Sequence, residues 1–110
     1  MKKADLQVET ADVHSDVEDK RLRTLWCGNL SEKVTEEILY ELFLNAGPLE
    51  KVTIPKDRET GQQKTFGFIL FCHRESVIYA FLLLNYTPLY GKQVVLRQKE
   101  TGIGKRWRAN

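Results

Sequence analysis

Three large aromatic side chains, Trp26, Phe66 and Phe68, fall in two short runs: LWCGNL at 25–30 and KTFGFILF at 64–71. Successive side chains of a strand point to opposite faces, so Phe66, Phe68 and Leu70 share one face while Gly67, Ile69 and Phe71 share the other. Both faces then read as buried, although a chain of 110 residues has room for one core. Rings left outside that core can stack on flat, polar-edged partners, and each base stacked on an aromatic gains about 1–3 kcal/mol whatever its identity. Lys51, Lys64, Arg97 and Lys99 border the same face, where they could meet phosphates, and Thr53 shares it. Gln98 and Lys99 follow the last strand and offer main-chain and side-chain hydrogen bonds to base edges.

Other chemistry finds little support. His14 lies in a charged N-terminal stretch, and His73 stands alone beside Cys72. No Ser/His/Asp set, paired carboxylates or metal-spaced cluster is apparent, so the sequence predicts neither an enzyme nor a cofactor. Cys27 and Cys72 belong to no CxxC and read as small buried hydrophobes. No run approaches the roughly 18 apolar residues of a membrane span, and the first residues lack the apolar middle of a secretory signal, so an intracellular protein is expected.

The elements that must position these residues follow from the hydrophobic pattern. TLWCGNL at 24–30 predicts a first strand ending in a Gly-Asn turn. Thr35 reads as an N-cap, with Glu36 and Glu37 in the first turn and Gly47-Pro48 as a stop, which predicts a helix over 36–46. Residues 49–56 alternate as a second strand with Val52 and Ile54 inward, and a polar turn leads into KTFGFILF as the third. Residues 74–86 place Val77, Ala80, Phe81 and Leu84 at helical spacing, and residues 92–98 alternate as a fourth strand with Val94 and Leu96 inward.

The order β-α-β-β-α-β predicts an α+β, ferredoxin-like split βαβ fold: a four-stranded antiparallel sheet with two helices on one face. Both crossovers are right-handed, so both helices cover the same side. The predicted open face carries Trp26, Thr53, Phe66, Phe68, Val95 and Arg97. Two rivals would cover it differently: the tail with Trp107 or the N-terminal stretch could fold over the rings, or the face could pair with another protein.

LWCGNL resembles the hexapeptide, and KTFGFILF the octapeptide, of the RNA-recognition motif family, at the right separation and in the right strands. Thr65 departs from the family pattern, which has glycine there, and Trp26 stands where the family usually carries Phe or Tyr. The resemblance implies that Trp26, Phe66 and Phe68 form a base-stacking platform with Lys64 as a backbone-contacting cation. The run at 24–57 and LYGK at 89–92 further resemble a branch of the family that includes the RNA-binding subunit of the nuclear exosome targeting complex and its splicing-regulator paralogue. That resemblance, over about residues 23–98, implies a nuclear protein that prefers uridine-rich single-stranded RNA and acts in RNA decay or pre-mRNA splicing.

A second apolar surface is expected behind the sheet. Ile78, Tyr79, Leu82 and Leu83 point away from the core face of the second helix, as Tyr40 and Leu44 do on the first. Packing against a neighbouring helix or loop would absorb some of them; the resemblance implies a docking site for a proline-rich segment of a scaffold protein. The chain is expected to be monomeric alone. Its charge is uneven: residues 1–20 carry a net −3, so residues 21–110 carry +5 of a total of +2. The expected organisation is a flexible acidic leader at 1–22, the motif at 23–98 and a basic flexible tail at 99–110.

Overall fold

A computed structural model describes residues 19–98 of the chain. Its elements are β1 (Thr24–Gly28), α1 (Glu36–Phe43) followed by a 3-10 turn (Leu44–Ala46), β2 (Leu49–Thr53), β3 (Gly67–Phe71), α2 (Arg74–Leu84), β4 (Pro88–Leu89), β5 (Lys92–Gln93) and β6 (Val95–Gln98). Strands β2-β3-β1-β6 form one antiparallel sheet in that order, which is the predicted split βαβ topology. The sheet closes on one face through Leu25, Cys27, Ile69, Phe71 and Leu96. Leu39 and Phe43 of α1, Val77 and Ala80 of α2, and Val34, Ile54 and Val94 from the connecting segments complete the same core. Phe43 meets Phe71 edge to face at 6.4 Å, tying α1 to β3.

Local chemistry explains the element ends. The Thr35 hydroxyl accepts from the Ile38 N–H at 3.2 Å, satisfying one of the donors a helix start leaves unpaired. The Glu36 carboxylate accepts from the Ile54 N–H at 2.8 Å, so the first turn of α1 also pins the chain leaving β2. Beyond β2, the Asp57 carboxylate accepts from the N–H groups of Glu59 and Thr60 and shapes the turn toward β3. Gly67 is required by space: a Cβ there would lie 2.7 Å from the backbone oxygen of Thr53.

Several boundaries differ from expectation. The second strand ends at Thr53, with an isolated bridge between Lys56 and Gln63 beyond it. Between Leu49 and Lys51 the register with β3 shifts, leaving Glu50 as an extra residue in a bulge. The expected fourth strand is split: Lys92–Gln93 pairs with Pro88–Leu89 in a separate hairpin, and only Val95–Gln98 joins the main sheet. The two-residue loop of that hairpin has positive φ at both Tyr90 (53°) and Gly91 (83°), as the tight turn demands. Cys72 is exposed, contrary to the expectation of burial, because it follows the last residue of β3. Cys27 is buried as expected, and burial pushes its thiol up to about 12, which removes it as a nucleophile.

The leader expected over 1–22 overlaps the described residues at 19–22, where the chain is helical; residues 1–18 and the tail 99–110 lie outside the described residues. Arg23 joins this turn to the sheet. Its guanidinium donates to Asp19 at 2.7 Å, to Glu50 at 2.8 Å and to the Phe71 carbonyl at 2.6 Å, and its own carbonyl accepts from the Phe71 N–H. The bulge is what aims Glu50 at this cation. Removing the charged donor with Arg23→Met is expected to cost about 1.5 kcal/mol or more, because the buried Phe71 carbonyl loses a charged partner. The Arg23 hydrogen bond holds the Glu50 carboxyl below its ordinary value of 4.5. The contribution of this pair is therefore complete above that value and fades as acid protonates Glu50, so urea titrations should show the gap between wild type and variant narrowing as the pH falls below it.

Candidate nucleic-acid interface

The antiparallel register lines up one row across all four strands. Thr53 opposes Phe68, Phe68 opposes Trp26, and Trp26 opposes Arg97. Directly opposed residues share a face, and these lie opposite the core. Trp26, Phe68 and Thr53 are half-buried, and Arg97 is exposed at the rim. Phe66 sits one residue before β3 rather than within it, yet its ring reaches the platform: it stacks on Trp26 at 6.1 Å with an interplanar angle of 23° and meets Phe68 edge-on at 5.9 Å. The three predicted rings thus form one contiguous aromatic surface.

Trp26 fits because residue 28 is glycine. A Cβ at Gly28 would fall 2.1–2.8 Å from the outer edge of the indole, so the ring lies across the backbone of its own strand. The Gly-Asn pair reads in sequence as a turn, and Asn29 does adopt positive φ (60°) while donating to the Gln93 carbonyl at 2.8 Å. Its glycine has this further steric role, which the indole's size could have signalled. The Arg97 guanidinium carbon lies 5.6 Å from the Trp26 ring centroid, a cation–π distance.

The remaining predicted contacts divide. Lys51, opposite Leu70, is exposed on the open face in a second row that ends at Thr24; Leu70 and Thr24 extend the platform and follow from the register alone. Lys64 is exposed at the approach to β3, where its N–H donates to the Pro55 carbonyl. Val95 is half-buried on the open face. Gln98 corrects the sequence reading: it opposes Leu25, so its side chain belongs to the buried, helix-facing register and is removed from base edges. Lys99 lies outside the described residues, as does Trp107.

On the opposite side, Tyr40, Leu44, Ile78, Tyr79, Leu82 and Leu83 are all exposed, Leu82 to 72%. Among the described residues no three His, Cys, Asp or Glu side chains gather as a metal site, and no helix is long and apolar enough to cross a membrane.

A split βαβ sheet whose uncovered face holds a ringed, cation-edged platform defines a class of binding module rather than an enzyme. The chain belongs to the RNA recognition motif family, whose model matches residues 25–95. It is similar to the splicing regulator RBM11 of Homo sapiens, 62% identical over 72 residues that make up 66% of this chain and 25% of that protein. RNA-binding protein 7 of Danio rerio is 52% identical over 83 residues, 76% of this chain and 32% of that one. The chain spans about a quarter to a third of the length of these curated relatives. Among solved structures, the RNA15 RRM aligns with a TM-score of 0.64 at 29% identity, covering 68% of this chain and 86% of that one. The SXL-lethal protein/RNA complex aligns with a TM-score of 0.67 at 25% identity, covering 73% and 48%.

Proposed function

We propose that this domain binds single-stranded RNA on its open sheet face, with a preference for uridine-rich sequence, and serves nuclear RNA processing through pre-mRNA splicing or transcript decay. The observation that carries the reading is the row Thr53–Phe68–Trp26–Arg97 with Phe66 stacked beside it. Bases stack on Trp26 and Phe68, Phe66 supports the ring surface, and Lys51, Lys64 and Arg97 hold phosphates around it. The names of the relatives, a splicing regulator and an RNA-binding protein, support the processing role. Resemblance to the exosome-targeting branch supports the uridine preference and the decay arm. Titrating uridine-rich, adenosine-rich and duplex RNA at several salt concentrations tests the reading. Single strands should win, uridine-rich ones first, and three phosphate contacts at about 0.7 each give a log–log salt slope near −2. Salt-independent binding, or preference for the duplex, would oppose it.

A second reading concerns the helical face and rests on its exposed apolar side chains. Tyr40, Leu44, Ile78, Tyr79, Leu82 and Leu83 form a docking surface for a proline-rich segment of a scaffold protein, and the domain is monomeric until that partner binds. The combined Leu82→Glu, Leu83→Glu variant should abolish co-purification of a protein partner from nuclear extract while leaving RNA affinity within about twofold, since the faces are separate. Unaltered co-purification would remove this second reading.

A further inference from the structure

The last residues before β1 border the open face. Asp19, Lys20, Arg21 and Leu22 make a helical turn, and the Thr24 hydroxyl donates to the Lys20 carbonyl at 2.6 Å. Thr24 opposes Leu70 two residues from the Trp26–Phe68 pair, so its side chain stands on the uncovered face and holds the turn against that end of it. Arg23 anchors the turn through Asp19, and ties it to β2 through Glu50 and to β3 through the Phe71 carbonyl. Lys20 adds to the Arg23 hydrogen bond that lowers the Glu50 carboxyl, so the turn reaches across the end of β3 toward β2. This corner carries Lys20, Arg21, Arg23 and Lys51 against Asp19 and Glu50, and both carboxylates are turned to Arg23. Lys20, Arg21 and Lys51 are exposed, and among the described residues none of the three forms an ion pair.

We propose that Lys20 and Arg21 extend the RNA interface by binding phosphates of the nucleotides next beyond those stacked on Trp26 and Phe68. This deepens the RNA-binding reading and rests on it. The row Lys51–Leu70–Thr24 lies two residues from the ringed row, about 7 Å at roughly 3.4 Å per residue. A backbone that meets Lys51 is already on this second row, and the turn borders the row at Thr24. The turn is fixed before RNA arrives, so the two cations bind without the cost of ordering the chain that carries them. Phosphate contacts add affinity whatever the base, so these residues set how long a strand the domain covers and not its sequence. Arg23, engaged on Asp19, Glu50 and Phe71, is a positioning residue for the turn.

The experiment measures binding of a uridine tetramer and a uridine decamer to the full chain, to a Lys20→Gln, Arg21→Gln variant and to a Lys20→Arg, Arg21→Lys variant, across salt concentrations. With wild type, the decamer should show a log–log salt slope steeper than the tetramer's by about 1.4, two contacts at about 0.7 each. The glutamine variant should lose that difference and bind the decamer roughly tenfold more weakly at low salt, with the tetramer within about twofold. The charge-keeping variant should retain the decamer's affinity and slope. Decamer binding unchanged or strengthened in the glutamine variant would overturn the inference alone. Equal losses for both lengths would assign the effect to the general field of the protein and overturn it too. Failure of the wild type to bind either RNA would overturn it together with the sheet reading. Both side chains are exposed, so the melting temperatures should match that of the wild type.

Discussion

Alanine at Trp26, Phe66 and Phe68 together is expected to weaken single-stranded RNA binding by roughly a hundredfold or more while the domain stays folded. Each stacked base is worth about 1–3 kcal/mol, and the platform has room for at least the bases on Trp26 and Phe68. The loss is not a plain sum, because Phe66 touches both other rings and single substitutions disturb a shared surface. Folding survives because the rings lie outside the core around Leu25, Ile69 and Phe71. A retained circular dichroism spectrum with unchanged RNA affinity would contradict the stacking role.

The opposite outcome is expected three residues further along the same strand. Phe71→Ala empties a fully buried site and should cost about 3–5 kcal/mol, a large share of the 5–15 kcal/mol that holds a small domain together. The edge-to-face pair with Phe43 is lost as well, and the cavity opens between sheet and α1. Urea unfolding should show the midpoint falling at an unchanged slope, with near-normal RNA affinity in whatever fraction remains folded. A small stability change with lost RNA binding would mean that the two faces of β3 had been assigned the wrong way round.

This division of labour within KTFGFILF was legible from alternation alone, because a strand turns successive side chains by half a rotation whatever its neighbours do. The assignment of Val94 and Leu96 inward rests on the same regularity, and their burial agrees. The exposed side of α2 was legible too, since an apolar residue at almost every position leaves Ile78, Tyr79, Leu82 and Leu83 nowhere to go but out. Features set by a single residue or by distant partners were not. The extra residue at Glu50 leaves no mark in the alternation around it, and its partner Arg23 is 27 positions away. Gln98, read as following the last strand and reaching base edges, lies inside β6 opposite Leu25, so its side chain takes the inward turn of the same alternation as Val94 and Leu96. The Pro88–Gln93 hairpin depends on Tyr90 taking a left-handed conformation that its residue type does not advertise.

The central claim is that RNA meets the sheet and not the helices, and amide and indole NMR shifts during titration with a uridine octamer test it most directly. Perturbations are predicted at Trp26, including its indole N–H, and at Thr53, Phe66, Phe68 and Arg97, with Tyr40, Leu82 and Leu83 unmoved. Shifts centred on the helical residues, with the Trp26 indole signal unchanged at saturation, would contradict the account.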